Sequence, residues 1–152
     1  MRLQLSKQLK ETDYLLHADM WNEQNFPSKA KVINCGLGES NLLNVAGGLA
    51  SEGNTVYIYG VAGFIIHRLE QLKFSCKHFG AKQGKIIICN AGKYGYEKLG
   101  IGHLLDDDKQ IMEMMEIAFI APRDMSDFVF ILRNIEKFAT IGIWYIQLGK
   151  DR

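Results

Sequence analysis

Residues 34–53 read NCGLGESNLLNVAGGLASEG. Gly36 and Gly38 supply a tight turn after the apolar pair Val32 and Ile33. From Glu39 to about Ser51, Leu42, Leu43, Ala46, Leu49 and Ala50 recur at intervals of three and four. That spacing marks one face of a helix, and Gly53 offers the backbone freedom at which helices end. The stretch therefore divides into strand, glycine turn, acid and helix. The acid, Glu39, stands at the carboxyl edge of a sheet, where open α/β folds bind ligands. A carboxylate there is also stabilised by the helix dipole with no ligand at all, so Glu39 alone does not assign a function. Gly47 and Gly48 lie inside the stripe, each less favourable than alanine by about 1 kcal/mol. Their presence points to a second backbone packed very close, from this chain or from a partner.

The flanking chain supplies the rest of an alternating pattern. MRLQLSKQLKETD (1–13) reads as a short amphipathic helix on Leu3, Leu5 and Leu9. YLLHAD (14–19) reads as a strand, residues 20–30 as a polar and aromatic loop with about one helical turn, and KVINCG (31–36) as a second strand. TVYIYGV (55–61) is a third strand, followed by a helix from about Phe64 to His78. KIIICN (85–90) is an unbroken apolar run of the kind found in buried parallel sheets. AGKYGYEKLGIGHLLDDD (91–108) is a long glycine-rich loop after a strand, a place where function concentrates. Asp106–Asp108 cap a helix over 109–115, EIAFIAP (116–122) is a fifth strand, Asp124 and Ser126 start a helix over Met125–Phe138, and IWYIQLG (143–149) is a sixth strand. Strands alternating with helices on short connections predict one doubly wound α/β domain over residues 1–152. Its sheet is six-stranded and mainly parallel, with helices on both faces.

Composition narrows the partners. Formal net charge is +1, and no Lys/Arg run exceeds two residues, so no nucleic-acid or polybasic membrane footprint stands out. The charged amino-terminal segment gives no sign of a signal peptide or membrane span. The three cysteines, Cys35, Cys76 and Cys89, lack CxxC spacing and read as reduced thiols in a cytoplasmic protein.

Several chemistries are weighed against these residues. Gly36 and Gly38 invite a dinucleotide reading, but Asn41 replaces the third glycine and Glu39 would repel phosphates. GAKQGK (80–85) lacks the spacing and the Ser/Thr of a phosphate-binding loop. Asp106–Asp108 as a metal site is the lesser reading beside their capping role. His17 and His78 fit packing or surface roles. His67, one turn after Phe64, and His103, in the glycine-rich loop, are the two histidines placed to reach a ligand.

Taken together, these segments resemble the pyrimidine-binding domain of transketolase-like, thiamine-diphosphate-dependent enzymes over nearly the whole chain. NCGLGESNLLNVAGGLASEG is similar to that family's F-x-x-G-I-A-E-x-N-M-x-x-x-A-x-G-L-A-x-x-G pattern. YGVAGFIIHRLEQL resembles its Y-S-x-x-T-F-x-x-R segment, LGIGHLLDD its G-P-T-H-x-x-x-E/D loop, and APRDMSDF…IWYIQLGK its P-x-D…P-x-Y-I-R-L-G ending. The resemblance implies that Glu39 hydrogen-bonds the aminopyrimidine nitrogen and favours the tautomer able to take the thiazolium proton. It implies that Phe64 stacks on the pyrimidine and that His103 faces the donor substrate.

The departures are equally specific. A second pyrimidine-side aromatic would fall near His67, the acid four residues before the loop histidine is Leu99, and the phosphate-side histidine expected near Asn90 is absent. A different sugar, or a carbonyl donor such as pyruvate, fits as well as a pentose phosphate. No G-D-G…N segment, which holds Mg2+ and diphosphate in this family, occurs in the chain. The resemblance thus implies a split enzyme, in which a separate diphosphate-binding polypeptide completes the thiamine diphosphate site in a hetero-oligomer. Its substrates would be small carbonyl or sugar-like molecules exchanging a ketol or acyl unit. The pyrimidine side of a two-chain 2-oxoacid decarboxylase, and a non-catalytic partner-binding remnant, remain alternatives.

Overall fold

A computed structural model describes residues 1–91, 107–138 and 141–148, apart from the side chains of Ala91 and Glu136. The strands are β1 (Tyr14–His17), β2 (Lys31–Asn34), β3 (Thr55–Val61), β4 (Lys85–Ala91), β5 (Ala118–Ile120) and β6 (Gly142–Leu148). They form one six-stranded sheet in the order β2-β1-β3-β4-β6-β5, and every pairing is parallel. The expected mainly parallel sheet is wholly parallel. No helix among the described residues is long and apolar enough to cross a membrane.

Chain direction fixes which face each helix covers. The connections β2 to β3, β3 to β4 and β4 to β5 all advance the same way across the sheet. Right-handed crossovers therefore place their helices on one face. These are α2 (Glu39–Ser51), the helical segment beginning with α3 (Ala62–Ile66), and α5 (Asp108–Met114). The step from β5 back to β6 reverses direction and sends α6 (Met125–Phe138) to the other face, where it packs on α1 (Arg2–Gln8). Strand side chains alternate to match. Leu16, Val56, Ile58, Ile86, Ile88 and Tyr145 join the α2 side, while Leu15, Tyr57, Tyr59, Ile87, Cys89 and Ile146 join the α6 side.

Two sequence expectations are corrected by packing. The helix expected over Phe64–His78 is broken: α3 ends at Ile66, a single turn α4 spans Leu69–Gln71, and a π-helix runs over Leu72–Phe79. This π-helix lies close against α2. A Cβ on Gly47 would overlap the Ser75 carbonyl of the π-helix, whereas one on Gly48 would meet nothing. Of these two glycines, the close backbone approach is at Gly47, and it occurs within this chain. The second correction concerns Asp108, which is 2% exposed and is the first residue of α5 rather than one preceding it. Its Oδ1 accepts the Lys109 N–H of the first turn at 3.0 Å, so part of the expected capping role is present, while Asp107 makes no side-chain capping bond and Asp106 lies outside the described residues. Asp108 Oδ2 also accepts bonds from Tyr145 Oη at 3.0 Å and Gln147 Nε2 at 2.8 Å.

Asp124 does start α6 as expected, its Oδ1 accepting the Asp127 N–H at 2.8 Å. A single helical turn in the β1–β2 loop is likewise present, closed by Phe26 N–H to Asn22 O at 2.9 Å.

Candidate active site

The glycine turn before Glu39 is built by one side chain. Asn34, the last residue of β2, accepts the Gly36 N–H at 2.9 Å and the Asp19 N–H at 3.1 Å on Oδ1. Its Nδ2 donates to Asp19 Oδ1 at 2.7 Å. Gly36 then takes φ +63°, a left-handed conformation that glycine adopts without steric cost. Gly38 N–H closes back on Gly36 O at 2.8 Å, and Leu42 N–H reaches Gly38 O at 2.9 Å to open α2. A side chain on Gly38 would press the Cys35 carbonyl, its Cβ 3.3 Å away.

This turn sets Glu39 as the first residue of α2, half-buried at the carboxyl edge of the sheet. Among the described residues no hydrogen bond or ion pair engages its carboxylate. The unpaired N–H groups of the first helical turn favour an anion there. Phe64 is half-buried in α3, immediately beyond β3, and α3 packs against α2. His67 ends α3 and is exposed. The structure therefore brings the elements carrying Glu39 and Phe64 together at one sheet edge and leaves His67 at the rim. His103 and Leu99 lie outside the described residues.

Beside this edge lies a polar cluster whose members the sequence expectations did not join together. Asp108, Tyr145 and Gln147 are hydrogen-bonded as above. Burial, reinforced by the neighbouring Asp108 carboxylate, pushes the Tyr145 phenol far above its ordinary range, so it remains a neutral donor. Asn90, at the end of β4 and paired in register with Gly60 and Gln147, is fully buried. By distance and angle neither polar atom of its side chain has a hydrogen-bond partner among the described residues, although it lies close enough to the Tyr145 hydroxyl to act on that phenol. The sequence signal for this cluster was a polar residue closing each of two apolar strands, Asn90 after IIIC and Gln147 after IWYI.

Other candidates fall away. His17 is 3% exposed, and its Nδ1 accepts the Met20 and Trp21 N–H groups, each at 3.2 Å. It is a packed acceptor, as expected. Cys76 and Cys89 are buried; burial pushes the Cys76 thiol up to about 12 and raises Cys89 further, which removes the thiolate a nucleophile needs. No group of three metal-ligating side chains occurs among the described residues.

Comparison with known proteins agrees with this architecture. No family model matches the sequence. An uncharacterized 33.6 kDa protein in the fasciation locus of Rhodococcoides fascians is 29% identical over 86 residues, 56% of this chain and 27% of that protein. A solved split gene transketolase, in the form of an inactive β4 tetramer, aligns over 99% of this chain with a TM-score of 0.72 and 22% identity. The present chain spans 49% of that one. At such identity the likeness is one of fold, and the fold of this chain is transketolase-like.

Proposed function

We propose that this chain is the pyrimidine-binding subunit of a split transketolase-like enzyme. In this reading a separate polypeptide holds the diphosphate and Mg2+ of thiamine diphosphate, and the cofactor lies between the two chains. The observation that carries the reading is the half-buried carboxylate of Glu39, unengaged among the described residues, on a turn pinned by Asn34. The residues present fit an aminopyrimidine ring: Glu39 offers an anionic acceptor, and Phe64 on the adjoining helix offers an aromatic face.

When bound, the cofactor supplies a carbon nucleophile and an electron sink for cleaving the bond beside a carbonyl. The work of this chain is to hold that chemistry in place. Glu39 shares a proton with the ring nitrogen and thereby sets the tautomer, a general acid–base role. Phe64 fixes the ring plane by stacking, worth about 1 kcal/mol beyond burial. His67 lines the rim, and His103 faces the donor, a ketol- or acyl-bearing carbonyl compound. The solved likeness being an inactive β4 tetramer supports a second state: without its partner, this chain self-associates and does not turn over.

The test is Glu39→Gln in the reconstituted pair. Glutamine keeps the shape of the side chain but cannot share the proton. Turnover is expected to fall by roughly 100-fold or more, with cofactor binding reduced far less. Turnover at the unmodified rate would overturn the assignment of Glu39.

A further inference from the structure

A second concave site lies away from Glu39, between the π-helix Leu72–Phe79 and the corner joining α5 to β5. α5 packs on α3. The cleft encloses about 460 Å3 and is lined by Leu69, Lys73, Lys77, His78, Met114, Met115 and Glu116. That volume falls within the range of small-molecule sites.

Its walls divide by chemistry. Leu69 and Met114 present apolar surface that the fold leaves 40% and 72% exposed. Lys77, whose side chain is 20% exposed, spans the cleft: its Nζ donates to Met115 O at 2.5 Å and to Glu116 Oε2 at 2.8 Å. Glu116 is thereby committed, and its own backbone is held at φ +53°, a conformation unfavourable for a side chain of this kind. Glu116 is the one carboxylate lining the cleft among the described residues, and it pairs with Lys77. Lys73 has no ion-pair partner among the described residues, its Nζ lying 5.7 Å from the Phe74 ring centroid, and His78 stands near enough to Glu116 to act on its carboxylate. Among the described residues the cleft is therefore apolar in body, with Lys73 and Lys77 set against the single carboxylate of Glu116.

We propose that this cleft binds a small amphipathic organic anion, its apolar body against Leu69 and Met114 and its anionic group at Lys73 and His78. The site is separate from Glu39 and stands or falls independently of the thiamine reading.

Fluorescence titration of the full chain with anilinonaphthalene sulfonate tests it, alongside phenylnaphthylamine, an uncharged analogue lacking the sulfonate. Saturable binding of the sulfonate is expected, with the uncharged analogue binding more weakly. Lys73→Glu, at an exposed position, is expected to weaken sulfonate binding by roughly tenfold, and Met114→Glu to weaken it as well. Lys29→Glu, the same charge reversal at an exposed position outside the cleft, is expected to leave it unchanged. Circular dichroism confirms that each variant is folded. Non-saturable binding, equal affinity for the two probes, or equal effects of Lys73→Glu and Lys29→Glu would each overturn the proposal.

Discussion

Asn34 and Asp19 hold one another in both directions. The Asn34 amide donates to the Asp19 carboxylate at 2.7 Å, and the Asp19 backbone N–H donates to Asn34 Oδ1 at 3.1 Å. Asp19 accepts φ +52° in the process, tolerable for aspartate in a left-handed turn. The pair clips the loop leaving β1 to the loop leaving β2, and the same Asn34 oxygen shapes the turn that presents Glu39.

This clip makes an ordered prediction. Asn34→Ala removes all three bonds and is expected to lower stability by about 1 kcal/mol. Asn34→Asp keeps the acceptor but turns a donor toward Asp19 into a second negative charge, so it is expected to be less stable than Asn34→Ala at neutral pH. The difference should shrink in high salt. Urea denaturation of the three proteins at low and high ionic strength checks the order.

Adjacent glycines in α2 should respond in opposite ways. Gly47→Ala drives a methyl group into the Ser75 backbone, an obstruction no rotamer relieves, and is expected to destabilise by about 3 kcal/mol or more. Gly48→Ala points to open space and is expected to stabilise by roughly 0.5–1 kcal/mol through helix propensity. Chemical denaturation of the two variants measures both.

His17 carries a pH dependence with a defined sign. Burial holds it below its ordinary value of 6.5, a larger effect than the opposing pull of Asp19 and Glu23. The unfolded chain therefore binds this proton more readily than the folded one. Its contribution is complete above pH 6.5 and is lost as pH falls through the depressed folded value. Protonation also removes the Nδ1 acceptor for Met20 and Trp21. The stability of the natural chain relative to His17→Asn should decline as the solution is acidified, as followed by urea denaturation across that interval.

The cysteines should label in the order of their exposure. Cys35 is half-buried, whereas Cys76 and Cys89 are buried with strongly raised thiols. Iodoacetamide at mildly alkaline pH is expected to modify Cys35 in the folded chain, and the other two only after denaturant is added. Mass spectrometry of digested protein reads the sites directly.

Much of the fold was legible because the two hydrophobic periods do not overlap. The bounds of α2, β3 and α6 emerge from spacing in ESNLLNVAGGLAS, TVYIYGV and MSDFVFILRNIEKF. The broken helix after Phe64 was not legible, because its π-helical geometry accompanies a contact with Gly47, far away in sequence. The second role of Asp108, beyond its bond to the Lys109 N–H, was not legible for a related reason. An aspartate before a helix looks like a cap, and only the parallel pairing of β4 with β6 shows Tyr145 and Gln147 above it. Glu39 was found because a glycine turn, an acid and a helical stripe lie in one continuous stretch. Asn34, which shapes that turn, was hidden as the end of a strand. Its bonds to Asp19 cross from one loop to another.

The most direct measurement is calorimetric titration of thiamine diphosphate with Mg2+ into this chain alone, into a diphosphate-binding chain carrying G-D-G…N alone, and into the two combined. The account predicts strong uptake by the pair, little by either chain separately, and a marked loss of affinity in the pair carrying Phe64→Ala. A pair that assembles yet takes up no cofactor, or equal uptake by this chain alone, would contradict the shared site on which the proposed function rests.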